Sequence, residues 1–307
     1  MTTPGPNPSE RPAPSALRYA SKALRLLPTA IPGKTRAAKL VLRPLLQTGD
    51  AIVYDRAGCK YVVPSLREPL AYHILFDGVY EPETLRLLLS RIGPGSTFVD
   101  VGANIGAFTV PTARKIGTTG RVVAIEASPR VFPYLSHNVA INGFSNVRLK
   151  CCAASDTGTP LPFYEAPMDQ FGMGSVGPQF VAEPTLVPAE TLDRILAEEN
   201  LTEVSILKVD VEGFEAAVFR GAARLLNGPH PPIVVFEFCD WAEARVPNAK
   251  VGDAQRLLRE FGYTLWLLHD FGRRGARPLD AEVLQGSEML VAEKPRNRDG
   301  QSRARAD

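Results

Sequence analysis

The run Phe98-Val99-Asp100-Val101-Gly102-Ala103-Asn104-Ile105-Gly106 limits the possible folds more than any other stretch: an apolar strand turns through small residues directly into a helix. A strand that hands on to a helix begins a crossover whose next strand lies parallel to the first, so this step opens a parallel sheet. The rhythm then repeats. Thr97 to Val101, Arg121 to Ile125, Val147 to Lys150, Val204 to Val209 and Ile233 to Glu237 are short apolar runs suited to strands buried on both faces, with helical segments between most of them. Thr264 to Leu268 and Met289 to Ala292 supply two closing strands. With 307 residues, 45% of them hydrophobic, the chain has material for one large core. The expected class is α/β, a largely parallel doubly wound sheet with helices on both faces and a small N-terminal extension.

The pattern divides the chain. Residues 1–15, with five prolines from Pro4 to Pro14 among small polar residues, are expected to be a disordered tail, and 295–307 a second. Residues 16–79 form a basic extension in which Ala51 to Arg56 and Lys60 to Val63 read as a hairpin around Ala57-Gly58. The main domain occupies 80–294. It begins with a helix from Pro82 through Ile92, closed by Gly93-Pro94-Gly95. Another helix opens at Ser128-Pro129 and ends near Asn142-Gly143, and a third places Phe214, Ala217, Val218, Gly221 and Leu225 on one face. Residues 156–190, rich in proline and glycine, break the rhythm where an insertion covers a ligand.

A net charge of +2 makes no global demand for a nucleic-acid partner, and none is expected. The charge is nevertheless uneven. From Arg11 to Gly49 there is no Asp or Glu, while Arg18, Lys22, Arg25, Lys34, Arg36, Lys39 and Arg43 interleave with Leu and Ala. This arm reads as short helices packed on the domain edge, with a weak membrane-surface contact as the alternative. Cys59, Cys151, Cys152 and Cys239 have no metal-gathering spacing and read as reduced core thiols. No stretch approaches the roughly 20 apolar residues of a bilayer span, so a cytoplasmic enzyme is expected.

Three signals carry chemistry. In the first, Gly102 and Gly106 let backbone approach a ligand closely, but a dinucleotide fingerprint needs glycine where Asn104 and Ala107 stand, which disfavours a nicotinamide dehydrogenase. Asp100 would repel a phosphate and suits a ligand carrying an ammonium and a sulfonium, as S-adenosylmethionine does. In the second, Glu126 ends the next strand and is placed either to accept from two ribose hydroxyls or to cap the following helix. In the third, Lys208-Val209-Asp210-Val211-Glu212-Gly213, alternation puts Lys208, Asp210 and Glu212 on one side. A lysine in an apolar strand needs a charge partner, here Asp210 or Glu212, and Asp210 stands at the strand end where such sheets hold ligands.

Asp100 to Gly106, Glu126 with Ser128-Pro129, Thr191-Leu192-Asp193, Lys208 to Gly213 and Phe236-Glu237 together resemble the FkbM family of methyltransferases, over about Tyr80 to Leu268. The resemblance implies a Rossmann-like class I methyltransferase fold, S-adenosylmethionine as cofactor, and O-methylation of a small-molecule natural product, sugar or glycan. By motif match it implies that Asp100, Gly102, Asn104 and Gly106 line the methionine and ribose side, Glu126 the ribose, Ala154 and Ser155 the adenine, and Glu81 the methionine end, with Ala127 and Asp210 also against the cofactor. An alcohol acceptor also needs a base. Asp210, Glu212, Glu237 and His269 are the candidates at strand ends, Asp210 first. No resident metal is assigned, although Asp210 and Glu237 could share a divalent ion that acidifies the hydroxyl. A non-catalytic module that binds the adenosyl ligand is the remaining alternative.

Overall fold

A computed structural model describes residues 8–27, 31, 33–180 and 183–295. Its strands are β1 (Thr48–Tyr54), β2 (Lys60–Ser65), β3 (Thr97–Val101), β4 (Arg121–Glu126), β5 (Val147–Cys151), β6 (Ala153–Ser155), β7 (Leu161–Phe163), β8 (Thr185–Val187), β9 (Ala189–Thr191), β10 (Ile206–Val209), β11 (Ile233–Cys239), β12 (Thr264–Leu267) and β13 (Ser287–Glu293). The helices are α1 (Ser15–Leu26), α2 (Lys34–Leu42), α3 (Pro69–Asp77), α4 (Pro82–Arg91), α5 (Thr109–Ile116), α6 (Phe132–Ile141), α7 (Leu192–Glu198), α8 (Glu215–Arg220), α9 (Ala223–Leu226), α10 (Asp240–Glu243) and α11 (Asp253–Glu260).

Seven strands make the central sheet in the order β12-β13-β11-β10-β3-β4-β5. Only β13 runs against its neighbours. Side chains alternate across the sheet. Val99, Val101, Leu207 and Val209 pack with Phe219, Leu226 and Leu258 on one face, and Phe98, Ile206 and Val122 with Leu88, Ile116 and Leu135 on the other. This is a Rossmann-like α/β sandwich. Sequence order reverses at β3, which has β4 on one side and β10 on the other, so the two following loops diverge and leave a crevice at the carboxyl edge.

The helices starting at Ser128 and Phe214 differ from expectation. α6 begins at Phe132, because the Ser128 hydroxyl accepts from Arg130 and Val131 N–H in a separate turn. The second is split into α8 and α9 at Gly221, where a Cβ would come within 1.9 Å of the Ser155 carbonyl. Of the thiols, Cys59 and Cys239 are buried, but Cys151 is exposed.

The extension packs as a platform. The β1-β2 hairpin, α1 and α3 share a core of Leu17, Tyr61, Leu66, Ile74 and Phe76, which meets the main domain at Ile105, Val110 and Val131. Asn138 of α6, fully buried, clamps the two parts: its Oδ1 accepts from Val62 N–H at 2.7 Å and its Nδ2 donates to the carbonyls of Val62 and Ile105. Leaving those backbone groups unpaired would cost about 1–3 kcal/mol each. Residues 8–14, expected in the tail, run along β1 instead. Ile52 N–H donates to the Arg11 carbonyl, Ser9 N–H to Asp50, and Ala13 is buried. An edge strand has free N–H groups, and this segment satisfies that of Ile52. The rest of that tail, 1–7, and the C-terminal one from residue 296 on lie outside the described residues.

Candidate active site

Register sets the site. Val101 pairs with Ile125 of β4 and Val209 of β10, and Val209 pairs with Phe236 of β11. The next residue on each strand is Gly102, Glu126, Asp210 or Glu237, so these four stand in one row along the carboxyl edge. A cavity of about 210 Å³ opens above the row, and all four line it.

On the β3-β4 side, polar groups are satisfied by backbone. Glu126 accepts from Asn104 N–H through one oxygen and Ser128 N–H through the other, both at 2.8 Å. Burial nevertheless pushes its carboxyl up to about 7. Asn104 takes a left-handed φ of 51°, which turns the chain so that its N–H meets Glu126. Gly102 serves a neighbour more than a ligand, since a Cβ there would stand 1.8 Å from the Asp210 carbonyl. Beyond Glu126, Ile125, Ala127, Cys152, Ala153, Ala154 and Phe163 form an apolar wall.

The β10-β11 side is crowded with charge. Lys208, fully buried, reaches the Gly102 carbonyl at 3.0 Å, Asp210 at 3.2 Å and Asp100 at 3.5 Å. Burial works against its charge, but the carboxylates of Asp210, Asp100 and Glu81 outweigh it and hold its pKa above the ordinary value. Asp210, Glu212 and Glu237 bring carboxylate oxygens within 4.8 Å of one another, a donor set suited to a hard divalent cation. Burial, then the neighbouring Asp210, raises Glu212 to about 8 and Glu237 to about 10. Glu215 holds the loop between them, one oxygen accepting from Val211 and Gly213 N–H. Burial lifts it to about 8.

The expected residues fall into two groups. Gly102, Asn104, Glu126, Ala127, Ala154, Asp210, Glu212 and Glu237 line the cavity. Asp100, Gly106, Glu81, Ser155 and His269 do not. Asp100 is fully buried beneath the turn, accepting from the Thr109 hydroxyl at 2.6 Å and facing Lys208. Gly106 packs on Leu135. Glu81 accepts from Thr84 at the start of α4 and is hydrogen-bonded to Tyr80 of the cavity wall, so it meets the site through a neighbour, its pKa raised by burial and by Asp210. The Ser155 hydroxyl turns to Asp156. His269, 45% exposed beside Asp270, follows the edge strand β12, which β13 and β11 separate from β10.

The structure adds Glu68, Tyr80, Phe108 and Cys152 to the wall. Only Glu68 left a local mark in the sequence: it precedes Pro69 as the cap of α3, accepting from Ala71 N–H. The 156–190 insertion roofs the cavity with Phe163, Gly172, Met173, Gly174 and Val176. One end is pinned where Ser128 donates to Glu165, the other where Ser175 and Gln179 donate to the Glu212 carbonyl.

Residues 100–265 match the model of the methyltransferase FkbM domain. The chain belongs to this family. The FkbM match starts at Asp100 and ends within β12, so it contains the whole row and leaves the N-terminal platform outside. Methyltransferase sdnD of Sordaria araneosa is 30% identical over 206 residues, covering 57% of this chain and 76% of that protein. Methyltransferase 1 of Beauveria bassiana is 31% identical over 217 residues, covering 63% and 80%. Hexuronic acid methyltransferase AglP of Haloferax volcanii is 26% identical over 154 residues, covering 50% and 61%.

Proposed function

We propose that this FkbM-family methyltransferase uses S-adenosylmethionine to methylate a hydroxyl of a small molecule or sugar. The observation that carries the reading is the row of Gly102, Glu126, Asp210 and Glu237 beneath one cavity. The donor's features match the residues present: a carboxyl placed to meet hydroxyl donors at Glu126, an apolar wall for an aromatic ring, and the carboxylate of Asp210 at the strand edge for positive charge. When bound, S-adenosylmethionine supplies a methyl carbon already activated by its sulfonium. The chain's own residues supply position and proton handling.

Only a deprotonated group can accept the hydroxyl proton. Glu212 and Glu237, raised to about 8 and about 10, hold protons at neutral pH and orient the acceptor as hydrogen-bond partners. Asp210 faces the Lys208 ammonium at 3.2 Å, which compensates its charge, and it is the general base in this reading. Lys208 also grips the Gly102 carbonyl, tying base and donor turn together. The printed name of the Haloferax volcanii relative, a hexuronic acid methyltransferase, supports a sugar acceptor.

Transfer of labelled methyl from S-adenosylmethionine into a fractionated extract and a panel of sugars tests the reading. A labelled product that Asp210→Asn abolishes is expected. A folded protein giving no calorimetric heat with S-adenosylmethionine or S-adenosylhomocysteine would overturn it, and binding without transfer to any fraction would favour a non-catalytic module. The cluster of Asp210, Glu212 and Glu237 favours one second reading, in which a divalent ion held there acidifies the acceptor hydroxyl. Turnover lost to chelator and restored by magnesium or manganese would select it.

A further inference from the structure

We propose that the outer face of α1 and α2 docks on an anionic lipid bilayer. Tyr19 and Leu26 on α1 are 73% and 87% exposed, Leu40 and Val41 on α2 73% and 75%. Tyr19 and Leu26 stand seven residues apart, two turns along one face of α1, while Leu17 and Ser21 are buried on the opposite side. α2 likewise buries Ala38 and turns Leu40 and Val41 outward. Single exposed apolar residues are ordinary, but seven of the twelve large ones exposed among the described residues fall between Tyr19 and Leu45.

The same stretch has no carboxylate between Glu10 and Asp50. Its bases serve two ends. Arg25 donates to the Ile74 and Leu75 carbonyls of α3, and Lys39 lies 4.2 Å over the Tyr72 ring, so these two fasten the helices to the domain. Arg18, Lys22, Arg36 and Arg43 are exposed beside the outward apolar side chains. Cations alternating with aliphatic groups fit a surface that is anionic outside and hydrocarbon beneath. A nucleic-acid backbone would meet the cations and offer no apolar phase for Leu26, Leu40 and Val41.

Docking has a consequence for the site. α3, on which both helices pack, is also the element that brings Pro69 and Leu70 to the cavity wall. The bilayer thus lies at a fixed distance from the cavity.

The test is sedimentation of the full-length chain with phosphatidylcholine vesicles, with and without phosphatidylglycerol. Binding to the anionic vesicles alone is expected, released in 1 M salt, where the screening length falls to about 3 Å. Arg18→Gln with Lys22→Gln should weaken partitioning roughly thirtyfold, and Leu26→Ser with Leu40→Ser on the order of tenfold. All four positions are solvent-facing, so unchanged melting confirms that the variants fold. No binding to anionic vesicles, or binding that neither double variant weakens, would overturn the proposal. So would a dimer that Leu26→Ser with Leu40→Ser dissociates, because a second copy would then cover the face. Retention by RNA that displaces the vesicles would overturn it as well. None of these outcomes depends on methyl transfer.

Discussion

At the end of β4, Glu126 has both oxygens met by backbone N–H groups, whereas at the ends of β10 and β11 three carboxylates crowd within 4.8 Å and Lys208 is ion-paired to only one of them, Asp210. The first region is fixed in place before any ligand arrives, with a lone pair left on each oxygen. The second is short of positive charge, and it makes up the deficit with protons, a cation or a cationic ligand. In the proposed reading the difference separates holding from reacting: a satisfied carboxylate fixes a geometry, and an unsatisfied cluster would leave proton affinity available for chemistry.

Five experiments bear on this division. Asp210→Asn should lower kcat about a thousandfold with donor affinity changed only a few-fold. An equal loss in both, measured by turnover and calorimetry, would mean the regions do not divide their work. Gly102→Ala places a Cβ 1.8 Å from the Asp210 carbonyl at a φ of 74°, and it should cost about 3 kcal/mol, lowering the melting midpoint by roughly 10 °C. A midpoint near that of the parent protein would show that the donor turn and the acid loop are not in rigid contact.

The third experiment uses pH. Glu212, Glu215 and Glu237 bind protons more tightly folded than unfolded, so they favour folding below their ordinary range near 4.5, and this support fades as pH rises through about 8 to 10. The ligand-free protein should therefore lose stability steadily between pH 6 and pH 9, read as a falling melting midpoint. Glu237→Gln should flatten that slope, and an unchanged slope would remove Glu237 from the account. Glu126→Gln sets an amide against two backbone donors and should weaken donor binding about tenfold while sparing kcat at saturation. His269→Ala should change neither constant measurably, and a loss of turnover would return that residue to the site.

Much of this was legible in the residues. Strands buried on both faces appear as apolar runs, so β3, β4, β10 and β11 fall within two residues of their expected starts and ends, and Glu126, Asp210 and Glu237 reach one edge. The partner required by a lysine in an apolar strand was also readable, although Lys208 takes Asp100 in addition to Asp210. What alternation cannot reveal is what covers a face. Asp100 ends up fully buried, hydrogen-bonded to Thr109 of α5 and away from the cavity lining. Glu68, Tyr80 and Cys152 come from elements remote in sequence and meet only through tertiary packing. The same holds for residues 8–14, whose composition suggests disorder until the bare edge of β1 gives them hydrogen bonds.

The roof and the acid loop share an anchor. Ser175 and Gln179 both donate to the carbonyl of Glu212, a non-glycine residue held at a φ of 54°. Displacing the insertion would break both bonds to that single oxygen and remove two contacts that help hold this residue in its left-handed conformation. Roof and acid loop are thus mechanically coupled, and a change that loosens one should loosen the other.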